Sequence, residues 1–172
     1  MKTAAAFLTA LAFTAAAPAF SQERTLTERP GEPTIVSVTG QDAEVNAAIA
    51  EGRARLPYFW QHFDKPEKGE SEFVLKVSFP ATNAGRPYHE HIWVDHLRKT
   101  ATGYEGQLAD EPNWMPGKKY GDVVAFTADM IDDWGFERNG KLIGHYTTRV
   151  LVKELNPKEA AEIRAMLGEN PK

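Results

Sequence analysis

The sequence predicts an α+β fold in which an antiparallel sheet of about five strands is flanked by an N-terminal helix and a C-terminal helix. Three observations support this prediction. Apolar residues recur at helical steps from Asp42 to Leu56. Residues 71–79 alternate between apolar and polar side chains, which is typical of a half-buried strand. Asn139-Gly140 is the dipeptide most typical of a two-residue hairpin loop.

The N-terminus has the pattern of a signal peptide over residues 1–21. Lys2 gives a basic start, and residues 3–17 are apolar, rich in alanine and free of charge. Such a run fits the roughly 7 to 15 residues of a signal-peptide core and is shorter than the roughly 20 of a membrane-spanning helix, which disfavours a retained anchor. Cleavage is expected between Ser21 and Gln22. The sequence therefore predicts a periplasmic or secreted protein with no transmembrane segment after cleavage.

The rest of the chain is expected to form one domain behind a short lead-in. Residues 22–40 carry Pro30 and Pro33 among polar residues, which predicts an extended segment with one short strand near 35–38. Residues 41–168 then form a single α+β domain, because this length is enough to bury a sizeable core. The chain has no cysteine, so the core must hold the fold without disulfides.

The first predicted helix begins at Asp42. Its apolar positions recur at three- or four-residue steps and are Val45, Ile49, Gly52 and Leu56. Pro57 interrupts the pattern, but proline is tolerated in a first helical turn. We therefore expect a second short turn from Pro57 to Phe63 that brings three aromatic side chains to the same core: Phe59, Trp60 and Phe63.

Four strands are expected next, at 71–79, 89–97, 103–108 and 122–126. A loop rich in proline, glycine and asparagine, 80–87, is expected to join the first two strands. A second loop, 110–121, holds Trp114 and Tyr120 and is expected at the surface. These strands would supply most of the sheet.

The chain then predicts a helical turn at 128–133, followed by the hairpin around Asn139-Gly140. Its expected cross-strand pairs are Arg138 with Lys141, Phe136 with Ile143, and Trp134 with His145 on the same side of the sheet. The returning strand is expected to continue to Val152. A final helix opens at Asn156, with Pro157 and Glu159 in its first turn, and ends at Gly168.

Charge and motifs exclude several classes of function. The net charge is −4, with acidic and basic residues interspersed, so no basic face is available for nucleic acid. Neither a nucleophile elbow nor a glycine-rich phosphate loop is present. Carboxylate pairs such as Asp132-Asp133 could serve acid–base catalysis, but adjacent acids before a tryptophan more often cap a helix or lie in solvent.

Several short segments resemble, in order and spacing, the YegJ-like bacterial family, a domain of unknown function. They are Glu90-His91-Ile92-Trp93-Val94, Gly106-Gln107-Leu108 with Glu111-Pro112, Gly121-Asp122-Val123-Val124, Asp133-Trp134, and Gly144-His145-Tyr146-Thr147. The resemblance covers about residues 42–155. It implies a small α+β domain, often exported, and brings no established activity, cofactor or partner.

Histidines are dense between Tyr88 and His96. On a strand His89 and His91 would share one face, while His96 has the opposite parity. Zinc needs three or four ligands, so this pair needs a distant third such as His145. A zinc site at His89, His91 and His145 is therefore one hypothesis, and an ordinary half-exposed strand is the interpretation we favour. No cofactor is expected.

Four aromatic residues are candidates for ligand binding. Trp114 and Tyr120 lie in the long loop, where exposed aromatic side chains favour binding. Trp93 and Trp134 lie in or beside strands and are also expected to stabilise the fold. The predicted function is a non-enzymatic binding domain in the cell envelope, with a protein, peptide or small-molecule partner. The alternative is a metal-dependent hydrolase built on the His-x-His pair.

Overall fold

A computed structural model describes residues 24–27, 35–37 and 42–171. The predicted signal peptide and its cleavage site lie outside these residues. Two short strands, β1 (Thr25–Thr27) and β2 (Ile35–Ser37), pair antiparallel. The short strand expected near 35–38 is therefore confirmed.

The helical region after the lead-in is also confirmed. Helix α1 (Ala43–Ala54) begins after Asp42, whose carboxylate accepts hydrogen bonds of 3.1 Å from the N–H groups of Glu44 and Val45. Helix α2 (Leu56–Asp64) carries its proline in the first turn. Its Phe59 is fully buried and packs against the sheet.

The main sheet has six strands, one more than expected, in the order β6-β5-β4-β3-β7-β8. Every neighbouring pair is antiparallel. The strands are β3 (Glu70–Asn83), β4 (Arg86–Lys99), β5 (Tyr104–Leu108), β6 (Val123–Phe126), β7 (Ile131–Arg138) and β8 (Lys141–Gly144). The α+β fold class with an antiparallel sheet is thus confirmed.

The prediction of a loop over residues 80–87 is wrong, because β3 and β4 continue as a long hairpin that turns at Ala84 and Gly85. Proline is tolerated in a strand where its missing N–H would point to an unpaired edge. β7 accompanies β3 only as far as Val77, so Pro80 lies beyond the paired part of that edge. Pro87 likewise precedes the part of β4 that pairs with β5.

The hairpin register is confirmed at Arg138–Lys141 and Phe136–Ile143. The prediction that the return strand continues to Val152 is wrong. β8 ends at Gly144, His145 adopts a left-handed conformation with φ 53°, and helix α3 (Tyr146–Leu151) follows. A left-handed residue turns the chain out of the sheet.

The helical turn before β7 is shorter than predicted, and the C-terminal helix is present. Only Ala128–Met130 of the turn expected at 128–133 is helical, as a short 3-10 turn, and the next residue opens β7. The C-terminal helix α4 (Pro157–Met166) is confirmed, with the Asn156 side chain accepting a 3.0 Å hydrogen bond from the Glu159 N–H. Within the described chain no helix is long and apolar enough to cross a membrane.

The two faces of the sheet have different roles. The core face packs against α2 and the aromatic residues around it, and its buried side chains include Leu75, Val77, Ile92, Val94, Leu108, Trp134 and Phe136. The opposite face, here called the open face, carries the alternate residues, which are half-buried or exposed over β3 to β6: Lys76, Ser78, His91, Trp93, Asp95 and Gln107. Any ligand that reaches the centre of the sheet must approach this open face.

Candidate functional site

The centre of the open face is a row of three unlike side chains on neighbouring strands. Lys76 of β3 lies opposite Trp93 of β4 on one side and opposite Asp133 of β7 on the other. Lys76 and Trp93 are half-buried, whereas Asp133 is fully buried. Polar and aromatic groups thus meet at a place that solvent reaches in part.

His145 extends across this row from the end of β8. Its N–H donates a 2.8 Å hydrogen bond to the Trp134 carbonyl, while its ring lies over Gly135 and packs against Trp93 with 4.9 Å between ring centroids. Gly135 is on β7 and Trp93 is on β4, so the ring lies over β3, the strand between them. A β-carbon at position 135 would overlap the ring, which explains the need for glycine there.

The Lys76 amine lies over the Trp93 ring. It is 5.3 Å from the centroid of the Trp93 ring and donates a 3.3 Å hydrogen bond to the Thr147 hydroxyl. Burial lowers the pKa of Lys76, and the neighbouring carboxylates, first that of Asp133, oppose the shift. We call Lys76, Trp93, Asp133, His145 and Thr147 the Lys76 site.

Asp133 holds the site together by capping α3. Its carboxylate accepts hydrogen bonds from the N–H groups of Trp134 (2.8 Å), Tyr146 (3.1 Å) and Thr147 (2.7 Å), and from the Thr147 hydroxyl (2.7 Å). Burial raises the pKa of Asp133, and these hydrogen bonds oppose the rise. Because Asp133 caps the helix from a distant strand, the side chain of His145 makes no capping hydrogen bond and reaches the open face instead.

A β-bulge directs a second carboxylate to the same region. Between the pairs Lys76–Asp133 and Val77–Ile131, β7 contains one extra residue, Asp132. Its carboxylate binds the His91 ring and the Arg53 guanidinium, the latter at 2.9 Å. In a regular strand, adjacent residues point to opposite faces. The bulge breaks this alternation, so the negative charges of both aspartates act on the Lys76 amine.

His145 is neutral at physiological pH. Burial lowers its pKa to about 4, and the positive charges of Lys76 and Arg149 contribute to the shift. The site thus contains an uncharged imidazole against a tryptophan, with an amine over the tryptophan ring.

The structure brings some of the predicted site residues together and separates others. Trp93 and His145 are in contact, and His91 is linked to the Lys76 site through Asp132. The ring of the exposed His89 lies instead 3.0 Å from the Ser78 hydroxyl.

The other aromatic candidates lie elsewhere. Trp134 is fully buried on the core face and donates a 2.8 Å hydrogen bond to the Gly52 carbonyl, so the expectation that it shares a side of the sheet with His145 is wrong. Trp114 is half-buried and meets Tyr88 edge-on at 4.9 Å, whereas Tyr120 is 63% exposed.

The histidines proposed for zinc do not form a cluster. Within the described residues, the group whose three ligand atoms lie within 4.8 Å of one another is His62, Glu67 and Glu70. Glu70 is already satisfied there, because it accepts hydrogen bonds from Arg138 at 2.6 Å and from the Glu67 N–H at 2.8 Å, and it contacts His62 at 3.0 Å. This group is therefore explained as an internal ion-pair network.

Sequence reasoning missed Lys76 and Thr147. The alternation of residues 71–79 put Lys76 on the polar side of its strand, but it gave no partner because the register between β3 and β4 was unknown. The sequence predicts a strand at Thr147, whereas the left-handed turn at His145 puts this residue in the first turn of α3. The interpretation of Asp132-Asp133 as a possible cap is close to the observed role of Asp133.

Comparison with known proteins identifies the family. Residues 42–170 match the family described as "Uncharacterized protein conserved in bacteria (DUF2314)". The chain belongs to this family. It is 27% identical over 134 residues to "Uncharacterized protein YegJ" of Escherichia coli (strain K12), a match that covers 78% of this chain and 84% of that protein. No solved structure matches the chain.

The YegJ-like resemblance of the sequence is thereby confirmed, and the fold explains how its segments are related. Three of the segments that carry the resemblance contribute residues to the Lys76 site. Segment 90–94 contributes Trp93, and segment 133–134 contributes Asp133. Segment 144–147 contributes His145 and Thr147. These segments are far apart in the sequence and converge on the open face.

Proposed function

We propose that this member of the DUF2314 family is an exported binding domain of the cell envelope whose ligand contacts the open face at Trp93. The observation that carries the proposal is the convergence of Trp93, His145 and Lys76 on one partly exposed place in the sheet. An aromatic ring beside hydrogen-bonding groups is typical of ligand sites. The N-terminal pattern of a signal peptide supports export, with Gln22 as the first residue after cleavage.

The polar groups of the site differ in whether they are free to form a hydrogen bond with a ligand. Asp133 and Asp132 are committed to hydrogen bonds within the protein. In contrast, within the described residues, the Trp93 indole N–H and the His145 ring nitrogens have no hydrogen-bond partner, and the Lys76 amine uses one of its three N–H groups. These free groups support recognition of a ligand that carries oxygen acceptors. The proposal requires no cofactor.

Binding can be followed through the four tryptophan indole N–H signals of the chain in a ¹H–¹⁵N NMR spectrum. Each signal is assigned with a Trp→Phe variant, and the mature protein is titrated with peptidoglycan fragments, lipid and small-molecule fractions of the envelope. We expect a fraction that shifts the Trp93 signal and leaves the buried Trp134 signal unchanged, because only Trp93 faces the open side of the sheet.

Trp114 supplies the matched control, since it lies in the loop that was the other candidate for binding. A shift of the Trp114 signal without a shift of the Trp93 signal would show that the ligand binds to that loop and not to the open face. If no fraction shifts the Trp93 signal, the open face does not bind an envelope ligand and the proposal is wrong.

A further inference from the structure

The two edges of the main sheet differ in whether the chain covers them. At the β8 edge, Leu142 pairs with Leu167, and its carbonyl accepts a 2.9 Å hydrogen bond from the Gly168 N–H. At the opposite edge, β6 has only β5 as a strand neighbour among the residues that the structure describes. An uncovered edge is able to pair with a strand of another chain.

The backbone of β6 carries hydrogen-bonding groups that point away from the sheet. In an antiparallel pair, alternate residues direct both the N–H and the C=O to the neighbouring strand. The Asp122 carbonyl accepts a 3.0 Å hydrogen bond from Leu108 at the end of β5, so Val124, two residues on, also faces β5. The N–H and C=O groups of Val123 and Ala125 therefore point outward.

The side chains at this edge are apolar and exposed. In the described part of the chain, four large apolar side chains are exposed, and two of them, Val123 (58%) and Tyr120 (63%), lie in β6 and just before it. Ala125 is exposed as well. Natural edge strands commonly carry lysine or proline against unwanted pairing, and residues 123–126 contain neither. A second strand at this edge would remove apolar surface from water.

Charges of opposite sign flank the two ends of β6. The exposed Lys118 and Lys119 precede the strand, where the acids Glu111 and Asp122 accept hydrogen bonds from N–H groups of the same loop. The exposed Asp129 follows the strand. Antiparallel pairing of two copies places the lysines of one copy near Asp129 of the other, whereas parallel pairing would bring like charges together. The charges thus favour an antiparallel pair of identical strands.

We propose that β6 pairs antiparallel with β6 of a second copy of this chain, across a two-fold axis at Val124. Val123 then lies opposite Ala125 of the second copy, and about four backbone hydrogen bonds join the two strands. The sheets of both copies become one continuous sheet. Because each strand contributes only four residues, the interface is small and the dimer is weak and reversible.

The pairing places both open faces on the same side of the joined sheet, because opposite residues of an antiparallel pair point to one face. Trp93 lies on β4, so the two Trp93 side chains are separated by five strand spacings, or about 24 Å. An extended ligand could contact both sites at once. This consequence rests on the proposed function, whereas the pairing itself requires no ligand.

Sedimentation equilibrium of the mature protein without ligand tests the pairing. We expect the average mass to rise toward that of a dimer as the concentration increases to about 1 mM. Val123→Lys should abolish the rise, because pairing would strip water from the charge. Position 123 is exposed, so the fold should be kept, and thermal unfolding verifies this.

Met166→Lys is the matched control, since Met166 is 46% exposed and lies beside the covered β8 edge. It should dimerise like the unaltered protein. The proposal is overturned if the unaltered protein stays monomeric up to about 1 mM, or if Val123→Lys dimerises as well as Met166→Lys.

Disulfide formation tests the register, because the chain has no cysteine of its own. Residues opposite each other in a hydrogen-bonded pair have Cα atoms about 5.5 Å apart, which suits a disulfide. Val123→Cys mixed with Ala125→Cys should therefore form the mixed disulfide at least about tenfold faster than Val123→Cys mixed with Met166→Cys. Equal rates in the two mixtures would contradict the pairing, whatever the NMR titration of Trp93 shows.

Discussion

Replacing Arg24 by alanine is expected to lower the free energy of unfolding by about 3 to 5 kcal/mol, the range found when one member of a buried ion pair is removed. The Arg24 side chain is 8% exposed and binds Asp42, which is 1% exposed, at 2.5 Å. It also binds Glu44 at 2.7 Å and Glu154 at 2.6 Å. The variant leaves the Asp42 carboxylate, which caps α1, buried without its counter-ion.

Urea unfolding of the mature protein measures this loss, and Arg98→Ala is the matched control. Arg98 pairs with Glu105 on the surface and is 72% exposed, so its removal should change stability by only about 0 to 1 kcal/mol. Equal losses in the two variants would show that Arg24 does not anchor the lead-in to the domain.

The Arg24 effect should also depend on pH. The guanidinium of Arg24 holds the pKa of Asp42 below its ordinary value of 3.8. The stabilisation is therefore fully present above pH 3.8 and is lost as the pH falls through the lower pKa of the folded state. The difference in stability between the native protein and Arg24→Ala should narrow in strong acid.

A second large effect is expected for Asp133→Ala. The substitution removes the acceptor of four hydrogen bonds and leaves the buried N–H groups of Trp134, Tyr146 and Thr147 unpaired. Unsatisfied buried donors cost about 1 to 3 kcal/mol each, and partial rearrangement of α3 limits the total, so we expect a loss of about 3 to 5 kcal/mol. Thermal or urea unfolding gives the value.

Asp129→Ala serves as the control for Asp133, because Asp129 is an exposed acid on the turn that precedes β7. Its removal should change stability by no more than about 1 kcal/mol. An Asp133→Ala variant as stable as Asp129→Ala would contradict the capping role of Asp133 and the position that it gives to His145.

The sequence predicted correctly those parts of the fold that depend on neighbouring residues, such as turns and helix caps. The Asn139-Gly140 loop gave the hairpin register, and Asn156 gave the start of α4, because turns and caps depend on neighbouring residues. The continuation of the strands through Pro80 and Pro87 depends on which sheet edges are left unpaired. That is a property of the whole sheet and not of the segment.

The candidate site was predicted only in part for the same reason. Trp93 and His145 were recognised as candidates, but their contact depends on the left-handed turn at His145 and on a glycine two strands away from Trp93. The bulge at Asp132 likewise arises from pairing between distant strands. Lys76 could be recognised only from the strand register that puts it opposite Trp93 and from the turn that brings Thr147 to its amine.

His145 reports most directly on the central claim that distant segments meet at the Lys76 site. A two-dimensional NMR titration of its ring, assigned with His145→Gln, measures its pKa and its contacts in one sample. We expect a pKa of about 4, because the ring is partly withdrawn from water and lies near the positive charge of Lys76, together with nuclear Overhauser effects to the Trp93 indole. An ordinary pKa near 6.5 without contacts to Trp93 would place His145 in solvent and contradict the site.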